Sequence, residues 1–488
     1  MQFSQETHRL LLLLLAAFGL VAVTTTYWAV TGPETILTRE DNPRLVEQQA
    51  RLLRGQIVDR EGEILVNSYA AQGGIAVRDY LYPAMNSALG YYSMRYGTAG
   101  AEAAYDIPLS GIDRARDLAA RFEESVLHRP PRGTDVRLTF DLAIQQAAAQ
   151  ALGDRAGAVV VMRVPDGAIS AMVSQPTYDP NTLNANWEQL AADPGEPFFN
   201  RALQGNYQPG GTIYPLLITA ALIEQFPVET IFDEADRPVR VAGVTLTCIN
   251  EPPADRLTLF DAFTFGCPAP FLEFAQRLGL ETVRDALALF RPEERPTLPG
   301  FITEPQPESI VQPIITPEPE GALPSRLAFG LDDALGQGEF QFTPLELASI
   351  TAALINRGNI PQPYTLLAVR PPDEKDWQPV LSNTQSTPVT TTENARRLQS
   401  LLRQNVVRGT AHAAARDDLD IGGTVAVSYS GETSNVWFAG FVRLDATQGY
   451  TVVVLLEDSG DVELAAAIGG DVLAAAAADT TVPPASDS

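Results

Sequence analysis

Hydrophobic positions fall along this chain in distinct patterns, and each predicts a different element. Residues 10–30 form an uncharged apolar run, which at 1.5 Å per residue is long enough to cross roughly 30 Å of hydrocarbon. Short apolar stretches at 57–58 and 64–66 sit on either side of Arg60-Glu61-Gly62-Glu63, the pattern of a hairpin. A second hairpin is predicted at 158–162 and 168–173, around Pro165-Asp166-Gly167. Three further strand patterns follow late in the chain, at 425–427, 436–442 and 450–456. Between them the pattern is helical. Asp141 is placed to cap a helix that starts at Leu142. From Leu216 the residues are apolar on every side, so that helix is expected to be buried all round. An alanine-rich stretch, 464–477, reads as a closing helix. Two strands before a helical middle and three after it predict an α+β fold: one five-stranded antiparallel sheet packed by helices and joined to an all-helical lobe.

The apolar run is expected to be an uncleaved transmembrane anchor, since no small-x-small site follows it. Tyr27 and Trp28 lie where an interfacial aromatic belt belongs. Residues 1–9 are then cytoplasmic, and nearly everything after Thr31 lies outside the cytoplasm, in a single-pass plasma-membrane protein. Residues 31–133 read as a membrane-proximal pedestal and 134–478 as the main domain. A Pro/Glu-rich surface excursion is expected at 287–324, and a disordered tail at 479–488.

Charge and composition narrow the chemistry. A net charge of −26 excludes nucleic acid as a natural partner, because duplex binding needs a basic face. The sole lysine, Lys375, lies in the polar loop Pro371-Pro372-Asp373-Glu374-Lys375-Asp376 and is expected to be solvated. The three histidines, His8, His128 and His412, are too scattered to build a metal centre, and no cofactor is implied. Cys248 and Cys267 are the only cysteines, and an exported pair is more often a disulfide than two reactive thiols.

Several segments resemble the class B penicillin-binding proteins, the serine D,D-transpeptidases that cross-link peptidoglycan. They include Arg54-Gly55-Gln56-Ile57-Val58-Asp59-Arg60-Glu61-Gly62, Asn200-Arg201-Ala202, Gly336-Gln337-Gly338 and Thr343-Pro344-Leu345. The resemblance implies a transpeptidase fold on a pedestal without chemistry of its own. In that family the active-site helix opens Pro-Gly-Ser-Thr-Phe-Lys, where Ser and Lys share a helix face and the Lys helps take the Ser proton. Here the opening is Pro209-Gly210-Gly211-Thr212-Ile213-Tyr214, with Gly211 at the Ser position and Tyr214 at the Lys position. The family's Ser-x-Asn motif corresponds to Gly266-Cys267-Pro268, and its Lys-Thr-Gly motif is best matched by Tyr429-Ser430-Gly431 or by one register earlier, from Ser428. Glycine offers no nucleophile, and a phenol with pKa near 10 is a poor base.

No catalytic residue is therefore expected at these positions. The resemblance implies a transpeptidase-like pseudoenzyme in wall synthesis or division, acting as a scaffold for other wall-synthesis proteins or a receptor for the peptidoglycan stem peptide. The competing expectation is an active transpeptidase whose nucleophile and base come from other positions. Tyr214 and Tyr429 are placed to occupy the volume of the missing lysines and to narrow the cleft or close it. A Cys248–Cys267 bond would pin the degenerate second motif.

Overall fold

The structure, a computed structural model, describes residues 2–32, 50–111, 132–241, 243–290, 298–301, 330–372, 374–380, 386–431 and 433–478. Most of the proline-rich 287–324 excursion, the linker holding His128 and the 479–488 tail lie outside them. The apolar run becomes helix α1 (Gln2–Gly32). Its segment His8–Tyr27 is long and apolar enough to cross a membrane and is unburied by the rest of the protein. Three successive threonines in it donate their hydroxyls back to the carbonyls of Leu20, Val21 and Ala22, which keeps those polar groups satisfied inside an apolar setting. Helix α1 fits a single-pass anchor.

The pedestal is built on a six-stranded sheet. Ile57–Val58 and Ile64–Ala70 pair antiparallel, as the apolar spacing predicts, and Ala76–Tyr80 extends that side. On the other side Ile57–Val58 runs parallel to Asp135–Leu138, which is followed by Leu366–Arg370 and Gln378–Pro379. The sheet therefore crosses the boundary expected at residue 133 and draws two strands from late in the chain. Buried beneath it is a charged knot. Glu102, fully buried, accepts from Arg54 Nη2 at 2.9 Å, from Arg78 Nε at 2.6 Å and from Tyr80 Oη at 3.2 Å. Arg54 also donates to Asp106 at 2.7 Å. Burial alone would lower the Arg54 pKa, but Glu102 and then Asp106 outweigh it and hold the guanidinium more firmly charged than usual.

The main domain follows the five-strand expectation. Helix α2 (Leu142–Leu152) is capped by Asp141, whose carboxylate accepts from Ile144 N–H at 3.0 Å. Strands β1 (Gly157–Val164) and β2 (Ile169–Gln175) form the early hairpin. The helical lobe then contributes α3 (Tyr214–Ile223), α4 (Leu259–Phe265), α5 (Pro268–Leu278) and α6 (Pro344–Ile355). Helix α7 (Thr392–Arg408) leads to β3 (Asp420–Ser430), β4 (Thr433–Arg443) and β5 (Gly449–Leu456), and α8 (Val462–Ala478) closes the chain. The strand order is β3-β4-β5-β1-β2, antiparallel throughout.

Each face of the sheet carries its own apolar layer. One layer holds α2 and α8 with Val425, Val436 and Phe438; the other holds α3 and α6 with Trp437, Ala439 and Phe441. Helix α6 is buried along its whole length and opens with a Thr343/Glu346 capping box. Helix α3 is buried from Tyr214 to Ala221, as its all-round apolar sequence requires. The outer edge of β3 and the opening of α3 meet at one place.

Candidate functional site

The opening of α3 is held in place by backbone approaches that only glycine permits. Gly210 has φ +54°, and a Cβ there would lie 2.4 Å from the Val427 carbonyl oxygen of β3. Gly336, with φ +67°, would place a Cβ 2.1 Å from the Gly210 carbonyl oxygen, and the Gly210 N–H donates to Gly336 O at 2.9 Å. The preceding loop is anchored from below: Trp437 Nε1 donates to Gln208 O at 2.9 Å, and Tyr207 Oη donates to Glu457 at 2.5 Å. Glu457 also takes the Arg201 guanidinium at 2.8 Å.

Gly211 and Tyr214 then occupy one face of the first turns. The Tyr214 ring is 6% exposed and stacks plane on plane with Phe271 of α5, centroids 3.9 Å apart and 6° from parallel. The same ring lies against Gly211, where an added Cβ would stand 3.0 Å from Tyr214 Cε2. The two positions are thus in contact: a side chain at 211 would require the Tyr214 ring to give way by a few tenths of an ångström. Burial pushes the Tyr214 phenol well above its ordinary pKa, so it stays protonated at any neutral pH and cannot serve as a base there.

The second motif is rebuilt in a similar way. Helix α4 ends at Gly266 in the left-handed conformation, and Ile249 covers it so closely that a Cβ at 266 would meet Ile249 Cδ1 at 2.9 Å. Cys267 is the N-cap residue of α5, Pro268 is its first helical residue, and a disulfide joins Cys248 to Cys267. No hydroxyl or amide side chain stands at 266 or 268. The uncharged strap 244–249, which the disulfide ties down, forms one wall of the site through residues 245–249.

On β3 the geometry departs from the Tyr429-Ser430-Gly431 expectation. Gly431 is exposed, with φ +63°, in the turn between β3 and β4. The residues abreast of Gly210 are Ala426 and Val427 instead. Thr424 and Ala426 lie on the sheet face that carries α3, opposite Ala439 and Trp437 in register. Tyr429 stands further along, its N–H donating to Gln337 Oε1 at 3.0 Å, while Gln337 Nε2 donates to Val427 O at 3.1 Å. One amide side chain thus braces two groups on the strand's outer edge. The sequence displays Gln337 only as part of Gly-Gln-Gly, which gives no sign of this role, and Phe271 and Ile249 are likewise ordinary apolar residues until the fold sets them against positions 214 and 266.

Together these walls enclose an open cleft of about 300 Å³. Tyr214 lines its floor and Tyr429 part of its wall, and neither ring closes it. Among the described residues, those lining it include no Asp, Glu, Lys, Arg or His. Lys375 is exposed between two strands of the pedestal sheet, and His412 is exposed with Nε2 4.0 Å from Glu463 Oε1. Neither serves a serine in this cleft.

A five-stranded antiparallel sheet sandwiched by helices, with a glycine-rich helix opening beside an edge strand and a separate pedestal sheet, defines the serine transpeptidase class of fold. The family model "Penicillin binding protein transpeptidase domain" matches residues 157–479, and "Penicillin binding protein A dimerisation domain" matches 54–136. The chain is 30% identical over 474 residues to the peptidoglycan D,D-transpeptidase PbpA of Mycolicibacterium smegmatis, covering 89% of this chain and 91% of that protein. It is 29% identical to PbpA of Mycobacterium tuberculosis over 389 residues, 75% of each chain. A solved penicillin-binding protein A from M. tuberculosis, an imipenem acyl-enzyme complex, superposes with a TM-score of 0.73 at 26% identity, over 88% of this chain and 99% of that one. The D,D-transpeptidase domain of a peptidoglycan glycosyltransferase from Eggerthella lenta gives a TM-score of 0.72 at 26% identity, over 88% of this chain and 98% of that one. The chain belongs to the penicillin-binding protein transpeptidase family.

Proposed function

We propose that this protein is a non-acylating member of the family, anchored in the plasma membrane with its N-terminus inside, that serves peptidoglycan synthesis or division as a scaffold or stem-peptide receptor. The observation that carries this reading is the pairing of Gly211 with the Tyr214–Phe271 stack, which leaves neither a nucleophile nor a base where the family places them. We assign the counterpart of the third motif to Thr424-Val425-Ala426, because these residues, not Tyr429-Ser430-Gly431, run up to the helix opening. No lysine stands in either register.

The decisive experiment is intact-mass spectrometry of the purified protein after incubation with a fluorescent penicillin. No covalent adduct is expected; an adduct that β-lactam competition abolishes overturns the reading. Tryptophan quenching by a stem-peptide mimic then separates a receptor from a scaffold, and pull-down of other wall-synthesis proteins supports the scaffold.

The second reading is an active transpeptidase with unconventional chemistry. It draws on the names its relatives carry and on Ser428, whose buried Oγ on β3 has no hydrogen-bond partner. The same mass measurement decides it, with the adduct mapped to a residue.

A further inference from the structure

One hairpin of the pedestal sheet ends in an uncharged tip. Strands Ile64–Ala70 and Ala76–Tyr80 are joined by Ala71-Gln72-Gly73-Gly74-Ile75, and from Ile64 to Val77 the chain carries no charged side chain, in a protein of net charge −26. Every residue from Tyr69 to Ile75 is exposed. Tyr69 is 49% and Ile75 55% exposed, an aromatic and an aliphatic surface left in water. They share a side of the hairpin: Tyr69 pairs with Val77 in register, and the Ala71 N–H donates to Ile75 O at 2.8 Å, so positions 69, 71, 75 and 77 alternate onto one face. That bond and a second, from Gly74 N–H to Ala71 O at 3.0 Å, close the turn's backbone on itself, which suits a medium short of water.

The register fixes which way the tip points. Ile57 pairs antiparallel with Val66, so the rest of Ile64–Ala70 runs back past the start of Ile57–Val58, toward the end at which the chain arrives from α1. The opposite end of the sheet abuts the main domain: Arg60 N–H donates to Phe140 O at 2.9 Å, Leu142 N–H donates to Asp59 Oδ2 at 3.3 Å, and the Asn181 amide bonds both backbone groups of Tyr80. The tip and the connection to the anchor therefore lie at the same end, away from the transpeptidase domain. Only residues 33–49 separate α1 from Ala50, a stretch that spans at most about 60 Å fully extended, so this end is tethered within that distance of a bilayer holding α1. The charges around it are mixed: Arg51 and Arg132 are exposed, Asp106 is bonded to Arg54, and Glu374 shares a pocket with Leu53 and Arg132. Neither sign dominates, and the side chains the tip itself offers are Tyr69 and Ile75.

We propose that the hairpin tip dips into the interface of the bilayer that α1 crosses, with Tyr69 and Ile75 as the inserted side chains, so that the membrane holds the pedestal at two points instead of one. This rests on the anchor role proposed above. The test reconstitutes the full-length protein into phosphatidylcholine–phosphatidylglycerol vesicles with a nitrobenzoxadiazole probe on Ile75→Cys. Cys248 and Cys267, joined in their disulfide, take up no label, and Val407→Cys, 80% exposed on α7, is the reference. Lipid spin-labelled near the headgroup is expected to quench the probe at 75 at least about twofold more than the probe at 407, and iodide in the water correspondingly less. A probe at 75 that iodide reaches as freely as at 407 overturns the proposal. Protection from iodide without lipid quenching overturns it too, in favour of a protein contact at the tip. With the probe moved to Ala71→Cys, adding Tyr69→Asp and Ile75→Asp is expected to abolish lipid quenching with an unchanged circular-dichroism spectrum; quenching that survives in the folded variant overturns insertion by these two side chains. If that variant misfolds, the comparison of 75 with 407 decides. Flotation with the vesicles reports the anchor separately: protein that floats with a water-exposed tip overturns this proposal alone, and protein that does not float overturns both.

Discussion

In the pedestal, two arginines and a glutamate are buried together: Arg54 and Arg78 close on Glu102 with Tyr80 adding a hydrogen bond, and the sheet folds over them. In the cleft of the transpeptidase domain, an aromatic stack, an isoleucine against Gly266 and a strap of neutral side chains make up the walls. The difference teaches what each region is for. Charges under a structural sheet hold two parts of the chain together and cannot be removed singly. Charges in a cleft are held against the stability of the fold, and neutral packing of the kind seen here carries no such cost.

Breaking the charged side of the comparison should cost most. Glu102→Ala leaves Arg78 buried without a counter-charge and Arg54 with Asp106 alone, and is expected to lower unfolding stability by about 3–5 kcal/mol in urea titration. A loss under about 1 kcal/mol would mean water reaches the arginines. Next comes the strap. Replacing Cys248 and Cys267 with serine opens a loop closed over a sequence separation of 19 residues, and about 3 kcal/mol should go with it. Hydrogen exchange should rise first in the strap at 244–249.

The cleft's packing gives the next effect. Gly211→Ser drives a Cβ toward the Tyr214 ring and is expected to destabilise by about 1–3 kcal/mol without yielding a penicillin adduct. Tyr214→Ala should cost less in the Gly211→Ser background than in the parent, and independent effects of the two changes would disprove their coupling. Gln337→Ala removes two bonds to the β3 edge; about 1–2 kcal/mol and faster exchange at the Tyr429 amide are expected.

The smallest effect is in titration. Burial raises the phenols of Tyr214, Tyr178 and Tyr207 above their unfolded value, and pushes Tyr105 up to about 12. A raised tyrosine pKa contributes stability that is complete below about pH 10 and is lost as pH climbs toward the folded value, because only the unfolded chain ionises in that window. Tyr214→Phe should change stability by less than about 0.5 kcal/mol at neutral pH and should blunt the alkaline loss. A variant as sensitive to alkali as the parent would show that Tyr214 is not the group that resists ionisation.

Much of this was readable in the residues. The five strands, the Asp141 cap and the buried character of α3 follow from local pattern, because periodicity and short motifs report on neighbours in sequence; positions 211, 214, 266 and 268 stand out only through the resemblance to the family's motifs. The register on β3 was not readable: the sequence pointed to a triplet headed by Tyr429 or Ser428, and only the approach of Gly210 to Val427 brings Thr424-Val425-Ala426 forward. The pedestal sheet was half readable, since nothing near residue 57 signals that Leu366–Arg370 will join it. Nor does the sequence around Gln337 disclose that its side chain reaches a strand about ninety residues away.

The stack of Tyr214 on Phe271 also sets the terms on which this cleft could be re-engineered. A serine at 211 alone would crowd the Tyr214 ring and find a phenol, not an amine, three residues on. Positions 211 and 214 therefore have to be exchanged together, with Phe271 repacked around whatever replaces the ring.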